Sequence, residues 1–185
     1  DTKEVNIAVL TADRHRKFLN TNNENKCRSK VTKIGFLKTY KCASSTLQNI
    51  LIRFAIFNKL NVVLPQKGPN FNELHPDARF NRSMIEATPW NLAGMTNDIF
   101  CLHCVWNHAE VSGTLGLGAI YFTMIRHPVD LFRSAWDYWN WGQFYNMTLQ
   151  QFADNIDTNI NINEHHSLLH DFGIPKHQFR DVKFI

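Results

Sequence analysis

The stretch that most constrains this chain runs from residue 31 to residue 57. Val31 to Leu37 is a short apolar run, β-branched at its start, and it breaks into the polar segment Lys38-Thr39-Tyr40-Lys41-Cys42-Ala43-Ser44-Ser45-Thr46. Apolar residues resume at Leu47, Ile50, Leu51, Phe54 and Phe57, the spacing of one helix face, with Ser44 or Ser45 where an N-cap belongs. A strand feeding a polar loop that opens a helix gathers backbone N–H groups and the positive end of the helix dipole around one point, which makes a seat for an anion. Lys41, Ser44, Ser45 and Thr46 complete such a cradle.

This loop is not of the nucleoside-triphosphatase kind. After Gly35 the chain runs Phe36-Leu37-Lys38-Thr39-Tyr40-Lys41-Cys42, with no second glycine followed by Lys and Ser/Thr, so a nucleotide-kinase reading loses ground. An ordinary basic strand-to-helix turn fits the same residues; Lys38 and Lys41, three positions apart, tip the balance towards phosphate.

Beyond this unit, strands alternate with helices. Residues 61–64, 98–102 and 119–125 read as short strands. Residues 129–139 read as a helix with Pro128 in its first turn and Leu131, Ala135, Trp136 and Trp139 on its buried face. Further helices are expected at 149–156 and near 164–169, and residues 182–185 look like a strand that has only begun. Between them, residues 66–90 form an excursion rich in Pro, Asn and Gly. Alternation of this kind predicts an α/β fold: a parallel sheet with helices on both faces and ligand-binding loops at the carboxyl ends of the strands.

Composition narrows the class. A chain of 185 residues buries a core, and 44% hydrophobic residues with 14 Phe and 5 Trp exclude a disordered one. The net charge of +4 comes without a run of Lys/Arg to follow a nucleic-acid backbone, so no nucleic-acid partner is expected and a small anion suits the balance. No stretch of 18 apolar residues is present to span a bilayer. Residues 1–30, polar and Asn-rich with the basic cluster Arg14-His15-Arg16-Lys17, read as a stem leading into a domain at 31–185. The opening Asp1-Thr2-Lys3-Glu4, without an initiator Met, reads as a fragment or processed form. The sequons Asn81-Arg82-Ser83 and Asn146-Met147-Thr148 favour a secretory lumen, and the four cysteines are compatible with one.

A second constellation lies in Ile125-Arg126-His127-Pro128-Val129-Asp130-Leu131-Phe132-Arg133-Ser134-Ala135-Trp136, with Arg126 at a strand end and Ser134 two turns into the helix, where both can face one phosphate. Singly, each has a plain reading as an ion-paired arginine and a packing serine. Arg133 reads as a solvated face residue.

The run from Phe36 to Leu51 resembles the 5′-phosphosulfate loop of the galactose 3-O-sulfotransferase family, F-L-K-T-H-K-T-A-S-S-T-L-x-N-I-L. The segment 125–136 is similar to the family's I-x-R-x-P-V-x-x-x-x-S-x-[FW], and Cys101-Leu102-His103-Cys104-Val105-Trp106-Asn107 to its C-H-H-M-R-F-N. The resemblance covers residues 27–139 and implies a three-layer, P-loop-like sulfotransferase fold cut short at its C-terminus. It also implies sulfuryl transfer from 3′-phosphoadenosine 5′-phosphosulfate (PAPS) to the 3-hydroxyl of galactose on a glycolipid or glycoprotein. The expected setting is the Golgi lumen, in a type II membrane protein whose anchor is absent from this chain. Carried over by motif, Lys38, Thr39, Lys41, Ala43, Ser44, Ser45 and Thr46 contact the donor's 5′ side, and Arg126 and Ser134 hold its 3′-phosphate. Lys41 also acts in catalysis, and His103 is the expected base for the acceptor hydroxyl, with His108 as its rival.

Tyr40, Cys42 and Cys104-Val105-Trp106 depart from the family pattern, the last removing a positive charge near the acceptor. They keep two alternatives open: sulfation of another sugar, such as a uronic acid or hexosamine, and a non-catalytic relative that binds nucleotide or glycan. Phe71 and Trp90 are aromatic residues that could stack on a sugar, although a core role suits each better. Cys101-x-x-Cys104 beside His103 and His108 invites a zinc reading. Structural zinc sites bring a second close pair, however, and Cys27 and Cys42 lie elsewhere, so no metal is expected and a disulfide or buried thiols remain.

Overall fold

The computed structural model describes residues 8–9, 31–73, 77–85, 96–155 and 168–174. Four strands form one parallel sheet: β1 (Ala8–Val9), β2 (Ile34–Leu37), β3 (Ile99–Phe100) and β4 (Ile120–Thr123), in the spatial order β1-β4-β2-β3. The central strand β2 is paired on both sides, Ile34 opposite Ile99 of β3 and opposite Ile120 of β4. Ala8 and Val9 pair with Phe122 and Thr123, so the sheet reaches into the segment expected as a lead-in.

Both sheet faces are covered, which the period-2 pattern of the strands explains. Ile34, Phe36, Ile99 and Cys101 point to one side and pack on Leu51 and Ala55 of α1 (Ser44–Asn58). Leu37, Phe100 and Leu102 point to the other, against Val111 and Leu115 of α2 (His108–Leu115) and against Val63, Phe71, Phe80 and Trp106. Phe100 is fully buried, stacked on Phe71 and edge-on to Phe80 and Trp106. Gly35 leaves room for Tyr121, since a Cβ at that position would lie 2.4 Å from the tyrosine ring.

Three of the sequence expectations are corrected here. Ile50 and Phe57 of α1 are 57% and 86% exposed rather than inward-facing, because they lie roughly 100–120° around the helix from Leu51, the centre of its buried stripe. The N-cap is Ala43, at φ 56° in the left-handed region, and not a serine; Ser44 starts the helix and turns its hydroxyl back to the Thr39 carbonyl. Residues 61–64 form no strand of their own, only a parallel bridge from Val62 to Ile99 and a bond from the Val63 N–H to the Ile99 carbonyl at 2.8 Å. The helix α2 has no counterpart in the sequence reading, since Ser112, Gly113 and Thr114 are weak helix formers and only Val111 and Leu115 mark its inner face.

After β4 the chain turns through α3 (Pro128–Tyr138), with Pro128 in its first turn as expected, then α4 (Trp141–Phe144) and α5 (Leu149–Asp154). Ala135, Trp136, Trp141 and Phe152 make a separate aromatic core between these helices. Thr148 caps α5 in a reciprocal pair with Gln151. Of the helix expected near 164–169 only residues 168 and 169 are described, and they are helical; the rest of it, the expected strand at 182–185, Cys27 and Trp90 lie outside the described residues. Among the described residues no helix is long and apolar enough to cross a membrane.

The last described element, α6 (Leu168–Asp171), docks on the segment that follows β3. The Trp106 N–H donates to the Asp171 carbonyl at 2.9 Å, and Gly173, at φ 71°, passes so close that a Cβ there would lie 2.2 Å from the Trp106 carbonyl oxygen. Asp171 itself is 2% exposed, and burial raises its carboxyl pKa to about 7, opposed by a bond from the Tyr40 N–H.

Two measurements test this packing. Phe100→Ala is expected to cost about 3–5 kcal/mol in chemical denaturation, and a loss below about 1 kcal/mol contradicts the core described. Because the folded pKa of Asp171 is raised, its contribution is fully present below about pH 3.8 and lost as pH rises through about 7. Asp171→Asn is therefore expected to gain more stability relative to the parent chain at pH 8 than at pH 4, and an equal gain at both contradicts the burial.

Candidate functional site

The loops that follow β2, β3 and β4 open on the same carboxyl edge of the sheet, and there they surround a cavity of about 520 Å³. Its wall takes Lys38, Tyr40, Lys41, Ala43, Ser44 and Ser45 from the first loop, and His103 from the second. Arg126 comes from the third, Ser134 and Tyr138 from the helix α3 beyond it, and Asn70 from the excursion after α1. Residues from all three sequence motifs thus share one space.

Local bonds explain how the first loop holds its shape where the ladder ends. The Thr123 hydroxyl donates to the Leu37 carbonyl at 2.8 Å, and the Thr39 hydroxyl to the Met124 carbonyl at 2.6 Å, so threonines tie the β2 and β4 ends together. Lys41 and Ala43 then adopt φ of 55° and 56°, an unfavourable region for residues with a Cβ, and curl the loop towards the start of α1. The Thr46 N–H donates to the Ala43 carbonyl at 3.1 Å. Lys38 is buried, its ammonium bonded to the Gln48 side chain at 2.7 Å, and burial lowers its pKa.

His103 is buried within the second loop, with Nδ1 2.8 Å from the Lys38 carbonyl. A carbonyl only accepts, so in the neutral ring Nδ1 carries the proton and Nε2 the lone pair. The ring stacks on Tyr40 with centroids 4.0 Å apart and planes 10° from parallel. The His103 N–H lies 3.4 Å from Asn70 Oδ1, its carbonyl accepts from the Phe71 N–H at 3.0 Å, and Asn72 donates to the Tyr40 hydroxyl at 3.1 Å. Burial raises the Tyr40 pKa, which keeps that phenol neutral.

On the opposite wall Arg126 is exposed and donates to the Lys41 carbonyl at 3.3 Å. Ser134 and Tyr138 are one helical turn apart on α3, and the Lys41 ammonium sits 3.6 Å over the Tyr138 ring, a cation–π contact. The cavity therefore gathers Lys38, Lys41 and Arg126 within a small volume, and such a concentration of fixed cations attracts a polyanion.

Not every residue singled out by motif reaches this wall. Thr39 is buried beneath the loop and Thr46 is exposed beyond it. His108 lies in a separate aromatic group, 4.8 Å from the Tyr121 ring and tilted 33° to Trp106. Cys42, Cys101 and Cys104 are free, buried thiols; burial pushes Cys101 up to about 12 and raises Cys42 and Cys104 as well, so none is a ready nucleophile. Among the described residues no group of three or more His, Cys, Asp or Glu comes together to hold a metal ion.

Three contributors escaped the sequence reading as site residues: Tyr40 as the stacking partner of His103, Asn70 and Tyr138. Tyr138 had a signal, since it falls four residues after Ser134 on the same helix face. Asn70 falls in the segment 64–71, which is similar to the family's segment after the first helix where acceptor contacts are expected, but nothing in that segment singles it out, because its contact with His103 comes from an irregular loop.

Comparison with known proteins follows the same segments. The family model described as galactose-3-O-sulfotransferase matches residues 8–171. The chain is 37% identical over 105 residues to galactosylceramide sulfotransferase of Mus musculus, an alignment that takes in 57% of this chain and 23% of that protein. It is 31% identical over 113 residues to galactose-3-O-sulfotransferase 3 of Bos taurus, covering 61% and 25% of the two chains. It is also 35% identical over 112 residues to galactose-3-O-sulfotransferase 2 of Sus scrofa, covering 59% and 27%. The chain thus spans about a quarter of the length of the curated relatives it matches. No solved structure matches it. A family match that runs through nearly all of the described residues makes this chain a member of the galactose-3-O-sulfotransferase family.

Proposed function

We propose that the chain carries the donor site and general base of a PAPS-dependent sulfotransferase acting on the 3-hydroxyl of galactose in a glycolipid or glycoprotein glycan. The observation that carries this reading is the convergence of Lys41, His103, Arg126 and Ser134, from three separate segments, on one cation-rich cavity at the carboxyl ends of parallel strands. Family membership and the relatives' names support it. The reading includes a three-layer, P-loop-like sheet domain and a membrane-anchored enzyme working in the Golgi lumen.

In this reading the donor's 5′-phosphosulfate lies along residues 38–46, held by Lys38, Lys41, Ser44 and Ser45 and by the backbone around Ala43 at the positive end of α1. Thr39 acts from beneath the loop through its hydroxyl on the Met124 carbonyl, and Thr46 through its N–H on the Ala43 carbonyl. The 3′-phosphate lies between Arg126, whose planar fork suits it, and Ser134. Lys41 exchanges its contact with the Tyr138 ring for the donor's phosphate oxygens.

His103 Nε2 takes the proton of the acceptor hydroxyl as its oxygen attacks sulfur in line. The bond from sulfur to the bridging phosphate oxygen breaks, and 3′,5′-ADP leaves with the electron pair. Lys41 and the N-terminus of α1 stabilise the charge that develops on that oxygen. The bond from Nδ1 to the Lys38 carbonyl orients the base and links its position to the donor loop.

Two substitutions in the intact enzyme separate these roles. His103→Ala is expected to lower kcat by about 10²–10⁴-fold with 3′,5′-ADP affinity within about twofold of the parent; persistence of turnover rules out His103 as base. Arg126→Ala is expected to weaken 3′,5′-ADP by about tenfold to a hundredfold and 5′-AMP by about threefold at most, the first from the lost charged hydrogen bond to the 3′-phosphate and the second from the lost contact with the Lys41 carbonyl. Equal weakening of both nucleotides contradicts a 3′-phosphate role.

A further inference from the structure

We propose that Asp171 is a positioning residue that staples together the two loops carrying Lys41 and His103, an inference that rests on the donor reading above. Its side chain and its backbone reach different loops. Oδ2 accepts the Tyr40 N–H at 3.2 Å, at the start of the donor loop, while the Asp171 carbonyl accepts the Trp106 N–H at 2.9 Å, in the segment that leaves His103. Tyr40 and Asp171 are separated by 131 positions in the chain, so this bond is purely tertiary.

The position of the contact gives it its effect. Tyr40 is the last residue before the backbone turns left-handed at Lys41, where no ladder bond holds the chain. Fixing its N–H fixes the Thr39–Tyr40 peptide, the last one before the residue whose Cα leads into Lys41. The same residue lays its ring on His103, and Asn72 holds the hydroxyl at the far end of that ring. Asp171 therefore acts on both groups through Tyr40, without lining the cavity itself.

A carboxyl is an expensive means of docking a short helix. Asp171 is 2% exposed, its carboxylate accepts a neutral backbone N–H rather than a cation, and burial drives its pKa up. An apolar side chain would seat α6 without that desolvation. What the carboxyl adds is an acceptor for an N–H group at the edge of the donor loop, and a loop that must meet phosphates with its backbone amides depends on being held in shape beforehand.

The test is calorimetric binding of 3′,5′-ADP to this chain and to two variants, with thermal unfolding recorded for each. Asp171→Ala is expected to weaken binding by about tenfold, and Asp171→Asn, which keeps an acceptor oxygen of the same reach, to restore it to within about threefold of the parent. General loosening of the fold does not produce that rescue. Unchanged affinity in Asp171→Ala, or an Asn variant as weak as the Ala variant, overturns the inference while leaving the donor reading intact. Failure of the parent chain to bind 3′,5′-ADP overturns the donor reading and this inference with it. If Asp171→Ala does not fold, hydrogen exchange at the Tyr40 amide of the parent chain decides: slow exchange, slowed further by 3′,5′-ADP, supports the staple, and exchange at the rate of an open loop overturns it.

Discussion

The double pairing of β2 is the constraint on which the site depends. With β3 bonded along one edge and β4 along the other, β2 has no freedom to shift its register. Its side chains are divided between two covered faces, so a slip of one residue would turn Phe36 and Leu37 to the wrong sides. The donor loop begins where the ladder with β4 stops, at Leu37. Its first residues inherit a fixed origin, and the Thr39 and Thr123 hydroxyls extend the coupling between β2 and β4 one step past the sheet.

From that origin the loop departs from ordinary backbone geometry. Two non-glycine residues at positive φ, Lys41 and Ala43, carry strain that an isolated peptide would release. Three contacts from distant segments hold the turn: Asp171 on the Tyr40 N–H, Arg126 on the Lys41 carbonyl, and Tyr138 under the Lys41 ammonium. His103 closes the circle through the Lys38 carbonyl. The catalytic candidates are thus bound to one another through the loop's backbone.

Much of this arrangement is legible in the sequence, for identifiable reasons. β2, α1 and α3 announce themselves because a strand's apolar run, a helix's periodicity and Pro128 in a first turn are local signals. The gathering of Lys41, His103, Arg126 and Ser134 follows from a simple rule, that loops at the carboxyl ends of parallel strands face a common edge. What escaped was tertiary. The buried stripe of α1 excludes Ile50 and Phe57 although their spacing fits a helix face, because only the partner surface decides which stripe turns inward. The helix α2 is composed of weak helix formers and exists because Val111 and Leu115 have a sheet to cover. Asp171 carries no local signal of its role, which depends on α6 lying against the donor loop.

In the proposed reading the cavity between these loops holds a 3′,5′-bisphosphorylated nucleotide in one orientation. A crystal structure of the chain with 3′,5′-ADP tests it most directly. The account predicts the 5′-phosphate on the backbone amides at the start of α1, with Lys41 withdrawn from the Tyr138 ring, and the 3′-phosphate between Arg126 and Ser134. A nucleotide bound outside this cavity, or lying in it with its phosphates exchanged, would contradict the claim.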